Sequence, residues 1–187
     1  RSVSGGTATI TSCPDTQSML WWEPREGKRL VMQAVSWAEL ESADSSLAAF
    51  GQDRLDGKVA YLATVRKDGR PRAHPVTPVI GKGRMFIFLE PSSPRTRDLI
   101  ESGEYCLHCA MSDSSGSSGE FQVTGVAIQI ADPAMREMAE SVSSFRPALR
   151  SVLFELHVTE AMSTAYRGGQ PKRRRWHSGD VVVVFPH

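Results

Sequence analysis

From Lys58 onward the apolar residues of this chain fall on alternate positions, and the stretches that carry them are joined by turns too short for anything but antiparallel pairing. Residues 59–65 lead through Lys67-Asp68-Gly69 into residues 71–80, and Gly81-Lys82-Gly83 then leads into residues 84–89. Asp-Gly supplies the positive φ angles of a tight hairpin turn, and strands joined so closely can only run antiparallel. Pro71, Pro75 and Pro78 cannot donate to a hydrogen-bonded ladder, so the second of these strands is expected to be irregular or at an edge, leaving room for a ligand. Further strand-like stretches cover residues 105–111, 120–131, 152–165 and 173–177, and the tail Val181-Val182-Val183-Val184-Phe185 must be buried. The serine- and glycine-rich residues 112–119 read as a loop.

Helices are few and inserted between the strands. Ser36-Trp37-Ala38-Glu39 is a capping box, and a second helix should cover residues 45–55. Asp132-Pro133 opens another, with its cap and first-turn proline in the right order, running to about Ser144. Consecutive hairpins with helices between them predict a mainly β, α+β chain built as a small antiparallel barrel.

At 187 residues and 40% hydrophobic content the chain is long enough for one sizeable core. Its basic and acidic residues nearly cancel, leaving a formal charge of +1, so no global field recruits nucleic acid or an anionic membrane, and any anion binding must be local. With neither a long apolar run nor a secretory pattern, the expectation is a cytoplasmic protein. Residues 1–31 differ in composition from the remainder of the chain and carry Trp21-Trp22, so they are expected to be an N-terminal extension or a cloning remnant before a domain at 32–187.

Cysteines at 13, 106 and 109 cannot staple a domain of this size. Cys106-Leu107-His108-Cys109 looks like a metal motif. On a strand, however, positions 106 and 109 point to opposite faces, so they share neither a metal nor a disulfide and read as structural thiols. No metal site is expected.

The stretch with most chemical content is Phe86 through Leu99, a buried strand running straight into a capped helix. Ser93 suits the N-cap and Pro94 the first helical position, and Gly103 suits the helix end. The orphan N–H groups of such a turn face an anion, and Arg95 and Arg97 add charge. About 100° per residue sets those two arginines roughly 200° apart around the helix, which favours Arg95 as the ligand.

These pieces together resemble the pyridoxamine 5'-phosphate oxidase-like FMN-binding split β-barrels. Residues 60–65 with Asp68-Gly69-Arg70-Pro71 resemble that family's opening hairpin, and Arg72-Ala73-His74-Pro75-Val76-Thr77 its flavin-facing second strand. Ser93-Pro94-Arg95-Thr96-Arg97-Asp98-Leu99 resembles its Ser-x-Lys-x-Lys-x-Leu phosphate turn, residues 120–127 the strand before a second helix, and residues 153–156 a late barrel strand. The resemblance implies a six-stranded antiparallel split β-barrel with a few flanking helices, and a homodimer with FMN in the grooves between subunits. It further implies that Arg72 and Arg95 hold the phosphate, assisted by Ser93 and Arg97. His74, Val76, Thr77, Phe88 and Leu89 would flank the ring system, largely through backbone groups, and Glu120 would approach it from the partner subunit. The C-terminal arginine segment with which the name-giving oxidases recognise the vitamin has no match here, so pyridoxal phosphate synthesis is not implied.

The activity expected is that of an FMN-dependent oxidoreductase acting on a small organic substrate. Because the flavin carries the chemistry, the protein need supply only binding, orientation and electrostatics, which suits a sequence without a nucleophile-base pair. Two alternatives use the same groove. One is a deazaflavin (coenzyme F-420) reductase, in which Lys172-Arg173-Arg174-Arg175 grips an acidic tail and Trp176 meets the substrate. The other is a haem-binding or non-catalytic binding module, with His74, His108 or His157 as axial ligand. The basic run otherwise reads as a solvated edge strand, in keeping with a near-neutral chain.

Overall fold

The computed structural model describes residues 29–111, 118–167 and 170–183. Cys13 and Trp21-Trp22, most of the serine-rich loop and Phe185 lie outside the described residues. The chain is an antiparallel α+β structure: strands β1 (Arg29–Met32), β2 (Ala60–Val65), β3 (Pro71–Val76), β4 (Val79–Gly81), β5 (Arg84–Leu89), β6 (Glu104–Cys109), β7 (Glu120–Ile130), β8 (Val152–Arg167), β9 (Gln170–His177) and β10 (Asp180–Val183), with helices α1 (Trp37–Ala43), α2 (Ser45–Leu55), α3 (Pro94–Ser102) and α4 (Pro133–Ser141).

The main sheet runs β3-β2-β6-β7-β8-β5-β4, with β9 also paired to β8, and β1 pairs separately with β10 across the 31/32 position. It therefore holds eight strands rather than six, and among the described residues it is open, its end strands β3 and β4 lying unpaired to each other. Strand β8 is the reason for both. Its 16 residues pair with β7 along one edge, while the other edge is divided between β5, at Val152–Glu155, and β9, at Glu160–Arg167.

Local chemistry accounts for the elements. Ser36 and Glu39 close the capping box, the Ser36 N–H donating to the Glu39 carboxylate at 2.8 Å. The first hairpin differs from the sequence expectation, since only Gly69 has a positive φ and Asp68 instead holds the turn through Arg70 and Arg66. The left-handed pair sits in the next turn, at Lys82 and Gly83. Residues 71–80 also split in two. Strand β3 keeps Pro71 and Pro75 on the free edge of the sheet, where their missing donors cost nothing, and the chain then breaks at Thr77-Pro78 before β4 pairs with β5.

Side chains of β2, β6 and β7 alternate between two faces. Ala60, Leu62, Tyr105, Leu107, Cys109, Phe121 and Val123 point inward and join Trp37, Leu40, Leu47 and Leu55 of α1 and α2 in one core. Burying each large apolar side chain contributes about 1.5–3 kcal/mol. A smaller cluster of Val79, Phe86, Ala139 and Leu153 fixes α4 to the far side of β5 and β8. Cys109 is buried, its sulfur accepting the Phe121 N–H at 3.1 Å, while Cys106 faces the opposite side, where burial and then the Glu160 charge push its thiol pKa up.

The ladder between β7 and β8 shifts register at Thr124/Gly125, where the Thr159 hydroxyl bonds the Thr124 carbonyl at 3.2 Å. A Cβ on Gly125 would collide with the His157 carbonyl, whose oxygen also accepts the Tyr105 hydroxyl. Gly125→Ala is therefore expected to cost about 1–3 kcal/mol through overpacking. Urea unfolding followed by circular dichroism checks this, and a midpoint equal to that of the parent would contradict it.

Candidate functional site

The strand-to-helix turn is built from three hydroxyl and carbonyl contacts. Ser93 caps α3 with Pro94 at its start, and the Thr96 N–H donates to the Ser93 hydroxyl at 3.4 Å. The Thr96 hydroxyl donates to the Glu90 carbonyl at 2.8 Å, so in the 2.9 Å contact between the two hydroxyls the proton belongs to Ser93. Both functions of the Ser93 hydroxyl are thus committed to holding the turn. At the other end Gly103, at φ 70°, terminates the helix.

Helix α3 is held against the first hairpin by one carboxylate. Asp98 is 5% exposed, accepts the Thr64 hydroxyl at 2.8 Å and lies 3.3 Å from Arg72 Nε. Thr64 and Arg72 are directly opposite across the β2–β3 ladder, as are Leu62 and His74. Because side chains alternate along β3, Arg72 and His74 share the inner face with Thr64 and Leu62, which places them under α3. Sequence reasoning overlooked Asp98. Its position one turn after the cap, on the face opposite to Ile100, was the available signal.

Two side-chain nitrogens in this corner, His74 Nε2 and Arg95 Nε, are buried with neither a hydrogen bond nor an ion pair among the described residues, whereas Arg72 Nε is paired with the Asp98 carboxylate at 3.3 Å. They come from two different elements, and each costs free energy unless a ligand satisfies it. Burial, then the Arg95 and Arg72 charges, lower the His74 pKa below 6.5, with Asp98 opposing them. Both burial and the two nearby cations thus favour the neutral imidazole of His74. Arg95 makes no ion pair among the described residues, and a buried donor set of this kind suits a phosphate dianion.

The remaining sequence candidates are spread over several places. Arg97 is exposed and lies on the other flank of α3. Val76 and Leu89 are core residues of the inner face, and Thr77 is half-buried in the link between β3 and β4. Phe88 faces the opposite side of β5, meeting Phe145 edge to face with centroids 6.3 Å apart and lying under the Arg136 guanidinium. Glu120 projects from the outer face of β7, 3.6 Å from His108. Trp176 packs against the main core from β9, an exposed edge strand whose Arg174 and Arg175 ion-pair with Asp44 and Glu160. Of the three histidines named as haem ligands, His108 contacts the Cys109 carbonyl at 2.7 Å and His157 lies 3.6 Å from Glu155; only His74 has its Nε2 buried and unpartnered.

No protein-family model and no curated protein matches the sequence. Solved structures do. A haem-binding protein from Mycobacterium smegmatis superposes with a TM-score of 0.55 at 18% identity, over 69% of this chain and 57% of that one, so the chain spans little more than half its length. A nimc/nima family protein from Clostridium acetobutylicum gives 0.52 at 14% identity, over 71% and 93% of the two chains. HupZ from Group A Streptococcus gives 0.51 at 16% identity, over 60% and 89%. The chain shares with these proteins the fold described above, an open antiparallel sheet flanked by helices. Identities this low show the shared architecture alone. No helix among the described residues is long and apolar enough to cross a membrane.

An anion bound beside His74 stabilises its imidazolium, so the sign of the response is fixed. The His74 pKa is expected below 6.5 in phosphate-free buffer and should rise as inorganic phosphate is added. A histidine ring NMR titration reads both values, and a pKa indifferent to phosphate would remove the anion from this corner.

Proposed function

We propose that this protein binds FMN, with the phosphate between Arg72 and Arg95, and acts as a flavin-dependent oxidoreductase on a small organic substrate. The supporting observation is the gathering in one corner of Arg72, ion-paired to Asp98, with the buried, unpartnered His74 Nε2 and Arg95 Nε. Arg72 is oriented by Asp98 before any ligand arrives, which lowers the entropy lost on binding. Arg95 is held on the first turn of α3 and contributes charge-assisted hydrogen bonds to the phosphate. His74 adds its buried Nε2, which has no hydrogen-bond partner of its own, to the same corner. Bound flavin supplies the hydride chemistry.

Two identical chains would assemble through the outer face of the sheet. Tyr61 on β2 and Val126 and Ile128 on β7, with β6 between the two strands, are 50%, 37% and 46% exposed there, and exposed apolar groups on one face mark an interaction surface. This arrangement gives Glu120, on the same face, a route to the partner's site. Sedimentation equilibrium should return twice the chain mass, and Tyr61→Arg with Ile128→Arg should halve it; a monomeric parent protein would end the assembly model.

A second reading uses the same nitrogen differently, with His74 Nε2 as an axial haem ligand. A visible spectrum separates the two. Bands of oxidised flavin after incubation with FMN are expected, whereas a Soret band on haem addition, lost in His74→Ala, would replace the flavin assignment. A single deazaflavin band would instead assign the alternative carrier. Arg95→Ala should weaken FMN about 10- to 100-fold, from roughly 1.5–3 kcal/mol per charge-assisted contact, while the unfolding midpoint stays near that of the parent. Unchanged affinity would refute the clamp.

A further inference from the structure

The opposed faces of Cys106 and Cys109 remove both thiols from any common site, but they leave His108. On β6 its Nδ1 lies 2.7 Å from the Cys109 carbonyl oxygen, which only accepts, so Nδ1 carries the proton of the neutral ring and Nε2 presents a lone pair. That lone pair faces a second acceptor, because a carboxylate oxygen of Glu120 on β7 stands 3.6 Å from Nε2. The separation is longer than a hydrogen bond, which spans about 2.7–3.2 Å. Two acceptors set against each other repel unless a cation lies between them.

A divalent metal suits that gap. Two ligand atoms on one tetrahedral zinc stand roughly 3.3–3.5 Å apart, from bond lengths of about 2.0–2.2 Å, and a zinc-bound histidine ordinarily donates its other ring N–H to a carbonyl or carboxylate. A separate observation points to the same place. Thr164 on β8 is directly opposite Glu120 and shares its face of the sheet, yet it is 1% exposed and its hydroxyl has no hydrogen-bond partner among the described residues. A water held on a metal beside Glu120 would give that hydroxyl the partner it lacks. We infer that His108 Nε2 and the Glu120 carboxylate form a binding site for a borderline divalent cation such as Zn²⁺. Among the described residues no third His, Cys, Asp or Glu completes the set, so the remaining positions fall to water and to the amide oxygen of Gln122, which is opposite His108 on the same face. The site lies on the outer face of the sheet, whereas His74 is on the inner one, and it does not rest on the flavin reading. Held by a metal, Glu120 is withdrawn from the partner's site, so its two uses exclude each other.

The test uses the full chain without cofactor. Zn²⁺ is titrated in while the imidazole nitrogens are followed by NMR, the His108 signals being those missing in His108→Ala. At neutral pH the metal-free ring is expected to carry its proton on Nδ1 alone, and Zn²⁺ should shift Nε2 saturably while Nδ1 keeps that proton. Glu120→Gln should weaken the Zn²⁺ response at His108 by about ten-fold or more, with the unfolding midpoint near that of the parent. Mg²⁺, which imidazole suits poorly, should leave Nε2 unmoved. A metal-free Nε2 that already carries a proton would reduce the pair to an ion pair and overturn the site. So would an Nε2 indifferent to Zn²⁺, a response undiminished in Glu120→Gln, or one that Mg²⁺ reproduces. None of these signals involves FMN, so failure of the metal site and failure of the flavin assignment are told apart.

Discussion

One buried carboxylate ties the helix that starts the site to the strands that finish it. Asp98 spends one oxygen on the Thr64 hydroxyl and on Arg72, so α3, β2 and β3 are registered against each other by a single side chain. Breaking such a partly buried pair would leave both a hydroxyl and a guanidinium to be resolvated. The same contact decides which way Arg72 points. Without it, the guanidinium on an edge strand would be one more solvated charge, and His74 and Arg95 would face no organised third donor.

The sheet gives the molecule two unlike sides. Inward-facing residues of β2, β6 and β7 form a continuous apolar core under α1 and α2, and at its margin sit the unpartnered nitrogens. Outward-facing residues of the same strands mix apolar groups with His108, Glu120 and Gln122, and Tyr61, Val126 and Ile128 stand exposed among them. The division of β8 between β5 and β9 lets both sides exist, because it opens the sheet instead of closing it. An open barrel keeps β3 at a free edge, where prolines are tolerated and a ligand can approach the backbone.

Much of this was legible in the residues because it depends on local chemistry. The capping box at Ser36, the cap and proline at Ser93-Pro94, the left-handed Gly103 and the opposed faces of Cys106 and Cys109 all follow from neighbours within a turn or a strand. Where a local rule had two solutions, the residues alone could not choose: Asp68-Gly69 and Lys82-Gly83 both suit tight turns, and only the second adopts paired left-handed angles. The basic run near Trp176 carried charge enough for a tail-binding site, but Asp44 and Glu160, far away in sequence, neutralise half of it.

By itself the sequence determined an antiparallel chain with a cationic, capped helix start following a buried strand, since alternation, turn residues and capping are properties of short segments. Tertiary structure decided which cations face a common point. That choice required Asp98 to reach across from α3 to a hairpin formed more than thirty residues earlier, and no local pattern encodes a contact of that span. It also set Arg95 and Arg97 on different flanks, because a helix rotates its side chains by a fixed angle per residue and only packing fixes where zero lies.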